Sequence, residues 1–376
     1  MRFLFYTHSL VSDWNHGNAH FLRGIMRELI ARGHEALALE PENGWSRTNL
    51  IAANGKEALE RFSADFPELT SVSYGATFDH EAQIHDADVV IVHEWTDPAL
   101  VARLGAARRQ GGRFTLLFHD THHRAVSEAA SISTLPFQDY DAILAFGETL
   151  RQRYLRAGWG RNVHTWHEAA DVRLFKPRCD IRRSTDIVWV GNWGDDERSA
   201  EINEYLVDPV RELGLSATVH GVRYPPTALS ALAAAGIDYR GWLPNAEVPY
   251  AFARHRGTVH IPRRPYVESL PGIPTIRMFE ALACGIPLVS APWDDAEGLF
   301  RAGQDFLFAR SGSQMRELLR LVLQDRDLAG ALATHGVETI AARHTCGHRV
   351  DELFDILAQH GSAQVIDQLK QKEAAQ

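Results

Sequence analysis

The stretch ESLPGIPTIRMFEALACGIPLVSAP, Glu268 to Pro292, packs a proline-rich loop, a short helix, a glycine stop and a strand into one span. Pro274 fits the first helical turn and Gly285 fits the position just past the last one. At 100° per residue, Ile276, Met278, Phe279, Leu282 and Ala283 spread over about 160° of arc, the face a helix turns to a core. Arg277 and Glu280 fall next to each other outside that arc. Read plainly, they form an exposed i,i+3 ion pair worth a few tenths of a kcal/mol. The preceding residues SLPGIP argue for more. Gly272 lets the backbone approach a ligand closely, and a helix start with free N–H groups favours phosphate. Arg263 and Arg264, at the end of the preceding strand, add positive charge on the same side. Together these residues favour a nucleotide diphosphate site.

Working outward, the chain alternates strands and helices twice over. RFLFYT is a buried first strand. A polar loop, HSLVSDWNHGN, leads to the helix AHFLRGIMRELIARG, in which Phe21, Leu22, Ile25, Met26 and Leu29 recur at helical spacing. HEALALE, DADVVIVHE, RFTLLFHD, DAILAFG and NVHTWHEA read as further strands, and ALVARLGAARRQGG as a helix. Around Lys176-Pro177 and the charged run Arg178–Asp186 the apolar period stops, which marks a linker. Alternation then resumes with the strands IVWVGNWGDD, SATVHGV, RGTVHIP and IPLVSA. Helices are expected over SAEINEYLVDPVREL, TALSALAAAG, the quoted stretch, and two C-terminal segments. The expected fold class is α/β: two doubly wound, Rossmann-like halves, mostly parallel, covered on both faces. The expected domains are 1–176 and 177–376, with the terminal helix open to packing back on the first. Ligands of such sheets sit at the carboxyl ends of the strands, so two halves face to face place one in a cleft.

Composition bounds the function. The 376 residues are 45% hydrophobic and 23% charged, ordinary values for a globular protein long enough for two domains. A net charge of −9 offers no global field to attract nucleic acid. Cys179, Cys284 and Cys346 lack paired spacing, which suits a reducing cytoplasm, and no apolar run reaches membrane-span length. The first strand is not followed by G-x-G-x-x-G, and Walker A is absent too, which disfavours a dinucleotide or P-loop enzyme. Asp86–Asp88 reads as a strand-entry turn, Asp195-Asp196 and Asp294-Asp295 as loop or capping residues. HDTHH, His119–His123, matches no standard zinc spacing. His119 and Asp120 end a buried strand, where ligand contacts are common.

TIRMFEALACGIPLVSAP resembles the donor-binding signature of group 1 glycosyltransferases of the GT-B fold, most closely the branch similar to spore maturation protein CgeB. GNAHFLRGIMRELIARGHEALAL is similar to their first helix and second strand, AADVRLFKP to their hinge, and RGWLPNAEVPYAFARHRGTVHIP to a further shared segment. The resemblance implies transfer of a sugar from a nucleotide-diphosphate sugar to an acceptor hydroxyl, with no metal or other cofactor. The acceptor, whether glycan, lipid, protein or small molecule, is left open. Glu280 matches the carboxylate that holds the ribose hydroxyls, whose vicinal diol suits two acceptor oxygens. Gly272, Ile273 and Pro274 match the loop whose N–H groups meet the diphosphate. Arg263 or Arg264, with Arg277, would neutralise the leaving group. Gly191-Asn192 and Gly221-Val222-Arg223 match strand-end loops, and Trp242-Leu243 the region of the base. Gly17 and Asn18 match the first glycine-containing loop near the phosphates and acceptor, and His119 a histidine that contacts the donor sugar, so the resemblance makes 1–176 the acceptor-side domain and 177–376 the nucleotide-sugar-binding domain.

One position departs from the pattern. Many relatives carry a second glutamate eight residues before the one aligned with Glu280, and here that residue is Gly272, with Glu268 the nearest acid. Retention of anomeric configuration is thus implied by analogy alone. An inverting enzyme would need a base, with Asp13, His16, His119 and Asp120 as candidates. Two other classes share the scaffold, a nucleotide-sugar epimerase or hydrolase and a non-catalytic nucleotide-sugar-binding protein.

Overall fold

A computed structural model describes residues 1–374, with side chains described to residue 371. Contacts divide it into two compact units: Met1–Glu168 together with the segment from Cys346 onward, and Ala169–Thr345. The sequence reading cuts the chain once, after residue 176, whereas the contacts cut it after Glu168 and again after Thr345. The second cut follows from packing. The helix Cys346–His360 lies against the helix Ala19–Ala31, and the indole N–H of Trp166 donates to the Arg349 carbonyl at 2.8 Å.

In the first unit, β1 (Arg2–Tyr6), β2 (Glu35–Pro41), β3 (Thr70–Tyr74), β4 (Val89–His93), β5 (Thr115–Asp120), β6 (Ala142–Ala145) and β7 (Val163–Thr165) form one sheet. Its order is β3-β2-β1-β4-β5-β6-β7, and all its pairings are parallel. β4, β5 and β6 are buried along their whole length, as strands covered by helices on both faces must be. The sequence reading misses β3. Its residues TSVSY are only half-buried at a sheet edge and show no apolar run.

The second unit repeats the plan. β8 (Thr185–Val190), β9 (Ala217–His220), β10 (Ile237–Tyr239), β11 (His255–His260), β12 (Leu288–Ser290) and β13 (Leu307–Phe308) lie in the order β10-β9-β8-β11-β12-β13, again all parallel. In both sheets the strand order therefore reverses at the first strand, between β1 and β4 and between β8 and β11. Crevices at such switch points, outside the carboxyl strand ends, are where open α/β sheets bind ligands. The short edge strands β10 and β13 escape the sequence reading for the same reason as β3. The long helical stretch after residue 311 is two helices, Gly312–Gln324 and Arg326–Arg343. They are separated by Asp325, whose carboxylate caps the second by accepting from the N–H groups of Asp327 and Leu328.

Candidate functional site

The helix of the quoted stretch runs Ile276–Ala283. It ends in a Schellman motif: Gly285 at φ 62° donates to the Leu282 carbonyl, and Ile286 to the Ala281 carbonyl. At the other end the helix starts later than the sequence suggests. Thr275 is the cap, so Pro274 lies ahead of the first turn and shapes the entering loop instead. Gly272, at φ 92°, has a conformation side chains resist, and a Cβ there would press on Ala296 at 3.3 Å. Ile273 is fully buried, and its carbonyl accepts from the Trp293 indole at 3.1 Å.

Glu280 is the main surprise of this helix. Its side chain is completely buried, and the Arg277 guanidinium, 23% exposed, donates to it. An exposed surface pair would leave both groups in water, so that reading fails. A carboxylate taken out of water is costly unless it is paired and hydrogen-bonded. Its place on the buried side of this helix, paired with Arg277, points to work at a site.

The loop after β8 supplies the positive charge. Arg198 is 8% exposed, lies over the Trp189 ring at 5.2 Å, and donates to the carbonyls of Ile261 (2.9 Å) and Asn192. Its buried Nε has no acceptor. Burial, with the neighbouring Arg263 charge next, pushes its pKa down to about 9, and Arg277 adds to the same repulsion. A Cβ built on Gly194 would sit 2.9 Å from the Arg198 Nε and 3.5 Å from the Arg263 Nε, so the two guanidinium groups converge on this glycine. Like charges gathered in a partly dry place are the arrangement an anion relieves. Arg198 and Gly194 are missing from the sequence reading. The signal was the arginine following the glycine loop GNWGDDERS.

Arg263 and Arg264 part company. Arg263 caps the short helix Arg264–Glu268, is 20% exposed, and pairs with Glu197 at 3.1 Å. Arg264, 45% exposed, pairs with Glu201 at 3.0 Å and donates to the Asp196 carbonyl. Glu268, the nearest acid to the departed glutamate position, is exposed at the end of that helix. The remaining strand-end loops are stitched together. Val222 N–H donates to Asn192 Oδ1 at 2.9 Å, and Gly221 N–H to the Gly241 carbonyl at 2.8 Å, beside Trp242 and Leu243. A Cβ on Gly221 would fall 2.0 Å from the Gly191 carbonyl oxygen, so only glycine permits this contact. Arg223, at φ 64°, is exposed and pairs with Asp195 at 2.7 Å.

In the first unit the candidate residues cluster at the carboxyl ends of β1, β4 and β5. Asn18 caps the helix Ala19–Ala31, one residue after Gly17, and donates to Thr121 Oγ1 at 2.8 Å. His119 is 5% exposed, its Nε2 has no partner, and burial with nearby His93 holds its pKa well below the usual value. It is a neutral imidazole packed against Phe21, His93 and Trp166. Asp120 is different. It is fully buried, accepting from Tyr154 OH at 2.7 Å and from the His122 N–H at 3.1 Å. Burial and the Glu94 carboxylate push its pKa up to about 8. With both oxygens engaged, Asp120 braces the strand end. Asp13 is likewise committed, to a buried ion pair with Arg23 at 2.8 Å. His16 Nδ1 lies 3.2 Å from His8 Nε2. Asp88 accepts from the Arg2 N–H, Gln364 and Gln368, a strand-entry role. Among the described residues no group of three or more His, Cys, Asp or Glu could hold a metal ion, and no helix is long and apolar enough to cross a membrane.

Residues 198–355, which include Arg198, Arg263, Arg277 and Glu280, match a family model described as glycosyl transferase-like. No curated protein matches the sequence. Solved structures do match over nearly the whole chain. HepE of Anabaena, in complex with UDP and glucose, superposes with a TM-score of 0.67 at 14% identity, covering 95% of this chain and 99% of its own. Sucrose-phosphate synthase of Thermosynechococcus elongatus gives 0.64 at 14% identity, covering 96% and 99%. An alpha-glucosyltransferase in complex with UDP and a 13-mer DNA gives 0.67 at 14% identity, covering 95% and 99%. The chain thus has the GT-B fold, and its residues 198–355 match a glycosyl transferase-like family model.

Proposed function

We propose that the protein transfers a sugar from a nucleotide-diphosphate sugar to an acceptor hydroxyl, without a metal and with retention of configuration. The observation that carries this reading is the fully buried Glu280 carboxylate, on the helix that follows the Gly272 loop, in the same unit as the converging Arg198 and Arg263. Two carboxylate oxygens match a ribose diol. The two guanidinium groups, one short of an acceptor, match a diphosphate, to which arginine binds as a planar fork. Negative charge grows on the leaving diphosphate as the glycosidic bond breaks, and fixed cations there lower the barrier without reorganising. They would supply the charge neutralisation that a metal provides elsewhere. Retention rests on the resemblance: Asp13 is tied to Arg23 and Asp120 to Tyr154, which leaves the imidazoles of His16 and His119 as the bases that inversion would use. The nucleotides in the complexes of HepE and the alpha-glucosyltransferase make UDP the first donor nucleotide to test.

A thermal-shift panel of nucleoside diphosphates and their sugars, followed by turnover with the stabilising donor, tests the proposal. A ligand at about 100 times its dissociation constant adds about 2.7 kcal/mol of stability. A panel in which no nucleotide raises the melting temperature removes the proposal. Donor consumed without any acceptor would redirect it to hydrolysis.

A further inference from the structure

The amino edge of the second unit's sheet, opposite the strand-end loops of the candidate site, carries a cluster of basic side chains that donor chemistry does not use. Five of the eleven residues from Arg173 to Arg183 are basic and one, Asp180, is acidic, in a chain whose net charge is −9. This segment leads into β8 and wraps the end of the helix Ile276–Ala283. A Cβ on Gly285 would lie 3.5 Å from the Pro177 ring, and Arg183 donates to the Gly285 carbonyl at 3.3 Å. Beside it runs the helix Val248–Arg254, which leads into β11. The Ser184 N–H donates to the Arg254 carbonyl at 2.9 Å, and Thr185 and His255 then pair as the first residues of their strands. Tyr250 and Arg254, four apart on that helix, share a face. Tyr250 is 39% exposed, and the Arg178 guanidinium lies 4.7 Å from its ring centre.

Little in the protein neutralises this charge. Arg256 pairs with Asp186, and Arg173 with Asp171. Among the described residues, Lys176, Arg178, Arg182, Arg183 and Arg254 pair with no carboxylate. Helix ends account for two of these: Arg254 closes its own helix, and Arg183 meets the carbonyl just past Ile276–Ala283. The other three have no such employment. Lys176 and Arg182 stand exposed, and Arg178 keeps a buried Nε without an acceptor. Unneutralised cations gathered at one edge call for an anionic partner, and the make-up of the cluster selects which. Screening confines its pull to about 8 Å at physiological ionic strength, so the partner must bring dense charge close. A single-stranded nucleic acid needs aromatic faces to stack on, and the face of Tyr250 is taken by Arg178. A protein partner needs buried apolar anchors at the centre of the contact, and Tyr250 stands alone among guanidinium groups. An anionic bilayer needs neither. Its phosphates accept the planar fork of arginine, and a half-exposed tyrosine suits the headgroup layer.

We infer that this amino edge docks the protein peripherally on an anionic membrane surface, with Lys176, Arg178, Arg182, Arg183 and Arg254 against the lipid headgroups. The test sediments the purified full chain with two kinds of vesicle. One is phosphatidylcholine alone, and the other is equal parts phosphatidylcholine and phosphatidylglycerol. Binding to the anionic vesicles only is expected, weakening as salt is raised. Each basic residue near an anionic bilayer multiplies affinity about fivefold, so Lys176→Gln/Arg178→Gln/Arg182→Gln should bind about 100-fold more weakly. Lys176→Gln/Arg182→Gln changes only two exposed side chains and keeps the test decisive if the triple variant does not fold, with an expected drop of about 25-fold. No binding to the anionic vesicles, equal binding to both kinds, or affinity unmoved in variants that melt like wild type would overturn the inference. So would a DNA duplex bound more tightly than the vesicles through the same residues.

Discussion

Replacing Glu280 by glutamine changes one oxygen to an amide and removes one negative charge, with almost no change of shape. In the unliganded protein the cost is contained. The new amide still offers Arg277 a carbonyl oxygen, and Arg277 is 23% exposed, so water can take up what the lost charge gave it. A hydrogen bond to a charged group that becomes neutral loses about 1 kcal/mol, which for a protein of this size lowers the melting temperature by only a few degrees. Nucleotide binding should suffer more. A buried carboxylate that takes both ribose hydroxyls loses one acceptor and its charge, which removes about 1.5–3 kcal/mol and weakens UDP binding by roughly 10- to 150-fold. Calorimetry with UDP, alongside a melting curve, measures both effects. A folded variant that binds UDP as tightly as wild type would show that the buried Glu280–Arg277 pair is a packing device.

Three further outcomes follow from the geometry. Arg263→Lys should reduce turnover at least tenfold and Arg264→Lys only slightly, since Arg263 shares the Gly194 loop with Arg198 while Arg264 is the more exposed of the two; equal small losses in steady-state rates would pass the leaving-group role to Arg198 or Arg277. Asp120→Asn should keep turnover within a few-fold, because the carboxyl already holds its proton at neutral pH and serves Tyr154 and His122; a loss of a hundredfold in kcat with the fold intact would instead make Asp120 catalytic. The protein should lose stability as pH falls. His8 and His119 are held well below their usual value, His220 down to about 4 and His260 to about 3, so the folded state keeps them neutral while the unfolded chain takes up protons near pH 6.5. Their contribution is complete above that value and drains away below it, by up to tenfold in the folding constant per pH unit for each fully buried group. Asp120 and Glu40, both raised, oppose this trend by losing stability as pH rises, but they are outnumbered. A melting temperature higher at pH 5 than at pH 7 would contradict the assignment.

The alternation of strands and helices was legible because buried parallel strands are continuous apolar runs and the helices between them carry a periodic face. Edge strands such as Thr70–Tyr74 were not, since a strand paired on one side needs no such run. At the candidate site, the Gly272 loop, Glu280 and Gly285 were visible from their types and order. The burial of Glu280 was hidden. On a helical wheel it lies about 40° from the edge of the apolar arc, and only the neighbours decide whether that margin is wet or dry. The engagement of Asp120 was hidden for a related reason: its partner Tyr154 sits 34 positions further on, and sequence shows no contact of that range. Arg198 was missed because a charged residue beside a glycine loop reads as solvated until its ring partner Trp189 and its carbonyl acceptors are seen.

The two-part make-up of the first unit also bears on how a ribosome delivers the protein. Its strands are all made by Glu168, yet the helix that closes over Ala19–Ala31 begins only at Cys346, after the whole of Ala169–Thr345 has been made. The helix cover of that sheet is therefore completed only after the continuous stretch Ala169–Thr345 has been made. Synthesis order and completion order are reversed, and the apolar flank of Ala19–Ala31 is the surface a chaperone would meet first.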